Sequence, residues 1–385
     1  MIPGIFSSQG GINAERLDSF NSKLFRSQLA GTAPIFALSS GSAQFQLTSK
    51  IHYWFMKQPY SSKLIATADA EANNTATSIT VDKGAVVEPS SVIMNTKTNE
   101  YMFVSAVSGN TLTVVRGFAE STAEAVTKND ELLYLGTAKK EGSLAPNPKY
   151  RRGVPRMNYS QIFRNGWGTT RTAEHIKLIT GNKATENKED AVSMHAQDIE
   201  MALLLGRKSL NQVDGSEVLS TMDGLMSIVK NNTVLSAAAT LDSIQEWMYS
   251  NFETCPEGVP NERVVMTSLN VLYILNKLIR EAGSSYYPIG TATKVYGLDV
   301  YALQLPGMQE VKILAHPLFS QTESLSKSML IYHPGLIKIG YMTDAEIKDA
   351  TPVGMDGQAN VITSELTLEY ADENTGGVLS NISLE

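Results

Sequence analysis

Chemistry in this chain would have to start from a small stock of reactive side chains: five histidines, at 52, 175, 195, 316 and 333, and one cysteine, Cys255. His195 and Asp198 stand three residues apart in a stretch of helical periodicity, which puts both on one face, as in a metal-ligand pair or a base with its orienting carboxylate. No second His or Cys accompanies them in sequence, and such pairs are common on helix surfaces, so a structural pair is the better reading. His316 and His333 each precede a proline at a strand end, where a turn or packing role is expected. Cys255 lies in "TCPEGVPNE" among acidic neighbours, whereas a nucleophilic thiolate needs a cation or a helix N-terminus to lower its pKa. A single cysteine also excludes an intrachain disulfide and a multi-thiolate metal site. The acidic pairs Asp130/Glu131 and Glu189/Asp190 have the residue types for acid–base work but read as solvated faces. No phosphate-binding Gly-Lys loop, dinucleotide fingerprint, zincin helix, nucleophile elbow or calcium loop is present. The expectation is a protein that is not an enzyme and carries no cofactor and no metal.

One cluster stands apart. In "KYRRGVPRM", Lys149, Arg151, Arg152 and Arg156 place four positive charges within residues 149–156 of a chain whose formal charge is −7. A solvated charge run in a loop is one reading. A contact with the acidic surface of another subunit is a second, since Arg suits bidentate carboxylate recognition, and nucleic-acid contact is a third. Phe163 and Trp167 follow, and aromatics are unusual in a freely solvated linker. Lys149, Arg151, Arg152, Arg156, Phe163 and Trp167 are therefore the candidate intersubunit contact.

The elements that would carry these residues fit a soluble, multi-domain chain. At 385 residues, with 42% hydrophobic and 18% charged positions, it has length for two or three domains and a sizeable core. With 32 basic against 39 acidic residues its surface is acidic, the opposite of a duplex-binding clamp. Apolar runs such as "MALLL" and "VLYIL" are far shorter than the roughly 20 residues of a membrane span, and the start has no secretory pattern, so cytoplasmic synthesis is expected. Asn13, Leu17, Phe20 and Leu24 predict a short amphipathic helix in an N-terminal arm, and residues 43–56 alternate as strands. Between 61 and 136, short strand-like runs are separated by turn pairs such as Gly109-Asn110, which predicts a compact all-β insertion. Within it, "SGNTLTVVRGFAESTAEA" places Leu112 and Val114 on one face and lets Gly117 bend the chain out of the sheet. Residues 137–182 read as an extended loop ordered by its neighbours, with only "MNYSQIF" strand-like. The clearest helix spans 185–206, with Ala191, Met194, Ile199, Ala202 and Leu205 as its apolar side. Thr240 and Ser268 then cap two helices, alternating with strands at 263–267 and beyond 295, an α/β layer pattern.

This order of pieces resembles the major capsid proteins of tailed bacteriophages, which share the Hong Kong 97 fold. "TENKEDAVSMHAQDIEMALLL" looks like that family's spine helix, "RVVMTSLNVLYILNKLIREAG" like the strand and helix of its axial domain, and "DVYALQLPGMQEVKILAHPLF" like the strands that follow. "GNTLTVVRGFAESTAEA" with "NDELLYLGTAKKEG" resembles the β insertion of a podovirus-type branch. The implied fold is α+β: arm and first peripheral strand in 1–60, inserted β domain in 61–136, extended loop in 137–182, peripheral domain with spine helix in 183–234, axial α/β domain in 235–340 and returning peripheral strands in 341–385. The implied function is self-assembly, as hexamers and pentamers, into an icosahedral shell around double-stranded DNA held without sequence-specific binding. The implied partners are further copies of the chain, a separate scaffold protein, a portal and a decoration protein, with no membrane. The implied location is the virion, after assembly in the host cytoplasm. An encapsulin-like compartment, and from another class a β-rich adhesin or enzyme, are the rival readings.

Overall fold

Two alternating stretches, Ala43–Gln46 (β1) and Ile51–Met56 (β2), precede an interruption of the main fold. The computed structural model describes residues 38, 42–57, 61–67, 72–145, 152–176, 183–212, 218–282, 289–295, 298–304 and 310–384. The chain divides into a unit of Met1–Met56 with Pro155–Glu385 and a second unit of Lys57–Val154. The helix expected around Leu17, Phe20 and Leu24 lies outside the described residues.

In the second unit, Lys63–Ile65 (β3), Ser78–Thr80 (β4), Ser91–Asn95 (β5), Tyr101–Ser108 (β6), Thr111–Phe118 (β7) and Glu131–Thr137 (β8) pair in the order β3-β8-β5-β6-β7-β4. An antiparallel bridge between Ala66 and Val81 joins the two edge strands, so the sheet closes into a small barrel without free edges. Leu64, Ile79, Ile93, Met102, Leu112, Val114 and Leu132 fill the inside. Of the two residues turning β6 into β7, only Gly109 takes a positive φ, 59°. Gly84 lies close against this turn: a Cβ there would stand 2.1 Å from the Gly109 carbonyl oxygen.

At the other end of β7, Arg116 explains the small-residue tail that follows it. Its guanidinium is bidentate on Glu100, Nε to Oε1 at 2.8 Å and Nη2 to Oε2 at 2.7 Å. It also donates to the carbonyl oxygens of Asn73, at 2.9 Å, and Glu124. Glu100 accepts from the backbone N–H groups of Gly117 and Glu124, both at 3.2 Å. Gly117, at φ 63°, turns the chain immediately after Arg116, and the pair holds the returning segment against the barrel. Burial works against the Glu100 charge, but the bonds from Arg116 and the two backbone groups outweigh it and hold this carboxyl below the usual glutamate value.

The main unit resumes with Val154–Tyr159 (β9), Gln161–Thr170 (β10), the short helix Arg171–His175 (α1) and the long helix Lys183–Leu205 (α2). Strand β9 pairs with β2 as a two-stranded ribbon. Within the expected extended loop, the strand-like stretch 157–163 is thus part of two longer strands, Val154–Tyr159 and Gln161–Thr170. Strand β10 is in unbroken register with a later strand, Gly357–Tyr370 (β20), from Gln161↔Leu366 to Thr170↔Gly357. Gly166 and Gly168 interrupt the side-chain alternation that would have announced it. The hairpin Ser209–Gln212 (β11) with Val218–Thr221 (β12), helix Leu225–Ile228 (α3) and Thr233–Val234 (β13) follow.

Thr240 and Ser243 form a reciprocal capping box for Leu241–Ser250 (α4), and Ser268 accepts from Val271 N–H at 3.1 Å to open Leu269–Ala282 (α5). Between them runs Arg263–Thr267 (β14); after them come Ile289–Val295 (β15), Leu298–Gln304 (β16), Glu310–Ala315 (β17), Glu323–Ser326 (α6), Met329–Tyr332 (β18), Ile337–Asp349 (β19), β20 and Gly377–Ser380 (β21). Seven strands form one sheet in the order β13-β21-β18-β14-β17-β16-β15, and β1-β19-β20-β10 form another. Strands β14 and β18 are buried at every position because both faces are covered. Val265, Ile313 and Ile331 pack with Trp247, Val271 and Leu275 of α4 and α5, whereas Val264, Met266, Leu330 and Tyr332 face a second core shared with α2 and the four-stranded sheet.

Two details depart from the sequence expectation. Helix α2 buries Ala191, His195, Ile199, Leu203 and Leu204, while Met194 is 59% exposed, because the stripe runs through the polar His195. The C-terminal strands, expected to return together to the sheet of the spine helix, separate: β20 closes the four-stranded sheet and β21 crosses to the seven-stranded one, between β18 and β13.

Ile199→Asp should lower stability by several kcal/mol, since it buries an unpaired carboxylate between α2 and the sheet core. Urea unfolding followed by circular dichroism measures this. Arg116→Ala should cost about 3–5 kcal/mol, because it strands a carboxylate whose side chain is fully buried. In the wild type the Glu100 contribution should be complete above about pH 4.5 and be lost as pH falls through the lower folded value, which unfolding at stepped pH reads directly.

Candidate assembly site

His195, His316 and His333 resolve into structural contacts. On α2, His195 lies between β10 and β20, its Nδ1 2.7 Å from Asn165 Oδ1 and its Nε2 2.8 Å from Ser364 Oγ. Asn165 gives an amide N–H to Asp198 at 3.0 Å, so its oxygen accepts from Nδ1–H. Ser364 accepts from Ala345 N–H at 3.1 Å and gives its own proton to Nε2. The ring is thereby held neutral, and burial, set against the weaker pull of Asp198, pushes its pKa below the ordinary value. The His195/Asp198 spacing is thus a clamp across three elements rather than a ligand pair.

His316 and His333 each cap the turn they begin, His316 accepting from Leu318 N–H and His333 from Gly335 N–H. The other nitrogen of His333 donates to the Pro260 carbonyl at 2.6 Å, and that of His316 lies 3.5 Å from Glu200, whose carboxylate also accepts Leu38 N–H at 2.5 Å. Cys255 is exposed. No group of three or more His, Cys, Asp or Glu side chains able to hold a metal occurs among the described residues.

Of the six candidate contact residues, Arg152 belongs to the inserted unit and Arg156, Phe163 and Trp167 to the main unit. Lys149 and Arg151 lie outside the described residues, and Arg152 is exposed. Phe163 is 7% exposed and belongs to the core of its own chain, and Trp167, half-buried, lies on the same side of β10. Arg156 points its Nη2 at Glu373 within the same chain.

What Arg156 borders instead is a cavity of about 210 Å³ at the root of the β2–β9 ribbon. Trp54 and Met56 of β2, Arg156 and Met157 of β9, Lys208 and Asp223 beside the β11–β12 hairpin, and Ser227, Lys230, Tyr370 and Glu373 line it. Lys230 joins Arg156 on Glu373 Oε1, and Lys208 Nζ lies 3.0 Å from Asp223 Oδ2. Asp223 also accepts Lys208 N–H at 2.9 Å and the Ser227 hydroxyl at 3.0 Å. Trp54 Nε1 and Arg156 Nε are buried and have no acceptor among the described residues. On the opposite face of β2, Tyr53 and Phe55 are 55% and 75% exposed. Sequence reasoning found Arg156 in this group and missed the others, because they come from five separated segments with no common spacing.

Comparison with known proteins gives this architecture a family. A model of the SU10 major capsid protein matches residues 27–383. The chain belongs to that family. It is similar to the major capsid protein of Pseudomonas phage PaMx41, 25% identical over 408 aligned residues that cover 98% of this chain and 96% of that one. Among solved structures it is similar to the capsid of Cyanophage P-SCSP1u, at 8% identity, 99% coverage of each chain and a TM-score of 0.50. It is also similar to a structure of Gordonia phage Cozz, at 10% identity, covering 97% of this chain and 93% of that one, again at 0.50. At such identities the structural likeness speaks for the fold, which is the tailed-phage capsid fold of Hong Kong 97 type. As a phage major capsid protein, the chain is structural and shell-forming.

For this capsid protein the His195 clamp sets an acid limit. Its stabilisation should be complete above about pH 6.5 and be lost as pH falls through the lower folded value, because the unfolded chain takes up the proton first. His195→Ala should cost about 1–3 kcal/mol at pH 8, the range for leaving buried partners unpaired, and should flatten the stability profile between pH 7 and 5. Denaturant unfolding at stepped pH measures both.

Proposed function

We propose that copies of this chain assemble as hexamers and pentamers into an icosahedral shell that encloses double-stranded DNA without reading its sequence. The observation that carries the reading is the family match across residues 27–383. The fold supports it through a division of labour: the four-stranded sheet with α2 acts as the peripheral domain, the seven-stranded sheet with α4 and α5 as the axial domain, and the barrel as an insertion between β2 and β9. The chain does no catalysis in this reading, and His195, His316 and His333 serve to hold the fold. Its net charge of −7 suits a container, because an acidic wall does not neutralise phosphates and so does not retain the genome it must release.

The partners in this reading are further copies of the chain, with a separate scaffold protein, a portal and a decoration protein, and the product is the virion capsid assembled in the host cytoplasm. The exposed Arg152 remains a contact for a neighbouring subunit's acidic surface, together with Lys149 and Arg151 of the same run.

Negative-stain microscopy of the chain expressed with its phage's scaffold protein should show closed shells of uniform diameter. Monomers alone under those conditions, or shells whose content is a dedicated cargo protein instead of DNA, would overturn the reading. Arg151→Glu with Arg152→Glu should leave a folded subunit whose shell yield falls and whose remaining shells loosen as salt rises. Unchanged shells with lower DNA content would move this run from the subunit contact to the lumen.

A further inference from the structure

We propose that the outward face of β5–β8 of the inserted barrel is a docking surface for the same face of a second copy of this chain; the proposal rests on the shell-forming reading above. The face is continuous and apolar. Met94 stands opposite Leu133 on one side and Tyr101 on the other, and Tyr101 stands opposite Phe118, so one apolar row crosses the adjacent strands β8, β5, β6 and β7. In the row beside it Val92 is opposite Phe103 and Phe103 opposite Val115, and the Phe103 and Phe118 rings join the rows at 5.5 Å. These side chains alternate with Ile93, Met102, Val114 and Leu132, which fill the inside of the barrel, so they point outward. Val115, Leu135 and Phe118 are 54%, 48% and 38% exposed.

Strands that are apolar on both faces belong to sheets covered on both sides. Here the barrel interior covers one side, and the exposure on the other leaves a layer missing. A contiguous apolar face on a subunit surface marks a contact site. Closure of the barrel through Ala66 and Val81 leaves no strand edge to extend, so the contact is face to face, as between the layers of a β-sandwich.

Charge decides which surface fits. Arg116, beside Val115 in sequence, turns its guanidinium onto Glu100, and its side chain is 7% exposed, so it puts no charge on the face. Around the face, basic and acidic groups are paired within the barrel: Lys63, opposite Leu133, with Glu131; Lys97 with Asp130 at 3.4 Å; and Lys139 with Glu88 at 3.8 Å. Glu120 is exposed in the turn beyond Phe118, at a corner, and a two-fold contact sets a corner residue against a different residue of the partner. A partner selected by opposite charge finds little to hold here. The matching surface is an uncharged apolar sheet face, and every copy of this chain brings one. In a shell, where copies crowd together, a face that fits itself ties neighbours through their barrels in addition to the contacts of the main unit.

The test uses the full chain and its shells. Val115→Glu and Val115→Lys each place a charge on the outward face and leave the barrel interior untouched, so the unassembled subunits should melt as the wild type does. Either variant alone should associate at least about tenfold more weakly, because an unpaired charge enters an apolar contact. Mixing the two variants should recover part of that loss, since opposite charges then meet across the contact, a result peculiar to a face that meets itself. Leu135→Glu with Leu135→Lys repeats the test if a Val115 variant fails to fold. A map of the wild-type shell should show Val115, Phe118 and Leu135 within about 4.5 Å of the same face of another copy. The proposal is overturned if the folded single variants assemble as the wild type does, or if mixing recovers nothing. It is equally overturned if the map sets this face against a main unit, a separate protein or solvent. Shells formed under any of these outcomes leave the shell-forming reading standing, whereas absence of shells from the wild type would overturn that reading, and this one with it.

Discussion

Strand β20 pairs along its length with β19 on one side and β10 on the other, and most of the main unit takes its position from that double ladder. Its partners come from far apart in sequence: Gln161 stands opposite Leu366, and Ile337 opposite Tyr370. A one-residue slip would move every side chain to the wrong face, so Leu366 and Leu368 in the core and Ser364 at His195 fix the register from one side of the strand. From the end of β20 the chain passes Glu373 at the cavity and enters β21 of the seven-stranded sheet. The two larger sheets of the main unit are therefore joined through the end of this one strand.

Around this ladder the buried polar groups act as pins between elements. His195 joins α2 to β10 and β20, and Asn158 accepts from Asp223 N–H at 2.8 Å and donates to the Leu368 carbonyl at 2.8 Å. Arg263, wholly buried, donates to the carbonyl oxygens of Asn251, Thr254 and Glu262 and lies over the Phe252 ring, so a cation is held by backbone dipoles and an aromatic face. Each would be costly to bury alone, and each is satisfied only when two or three distant segments are in place. Such groups favour one arrangement over near alternatives, which suits a subunit that must be repeated identically many times.

The inserted barrel solves a separate problem with its own means. Closure through Ala66 and Val81 removes the sheet edges that would invite unintended pairing between crowded copies. Its interior is apolar, and the Arg116–Glu100 pair stitches the tail of β7 back onto it. The ribbon from which it departs is different in kind: two strands alone are marginal in water, and Tyr53 and Phe55 remain exposed on one face.

The sequence by itself determined the local elements and the class of protein. The Gly109 turn, the alternation through Leu112 and Val114, the Thr240 and Ser268 caps and the long helix ending at Leu205 follow from short-range sterics and periodicity, which a single segment carries. Their order was enough to bring out the resemblance to tailed-phage capsid proteins. Tertiary structure alone decided the rest, because long-range register leaves no local mark. Residues 164–170 extend the strand-like stretch that ends at Phe163 only because β20 is present to pair with them, and Gly166 and Gly168 hide their alternation. His195 became a core residue, against its polarity, because Asn165 and Ser364 arrive from other strands to satisfy it. Phe163 looked like a contact for another chain and proved to be core, since burial depends on what folds over a residue and not on its neighbours in sequence. Arg156 was legible as a charge with a role; that its companions are Trp54, Lys208, Lys230 and Glu373 was written only in how the ribbon, the hairpin and the end of β20 converge.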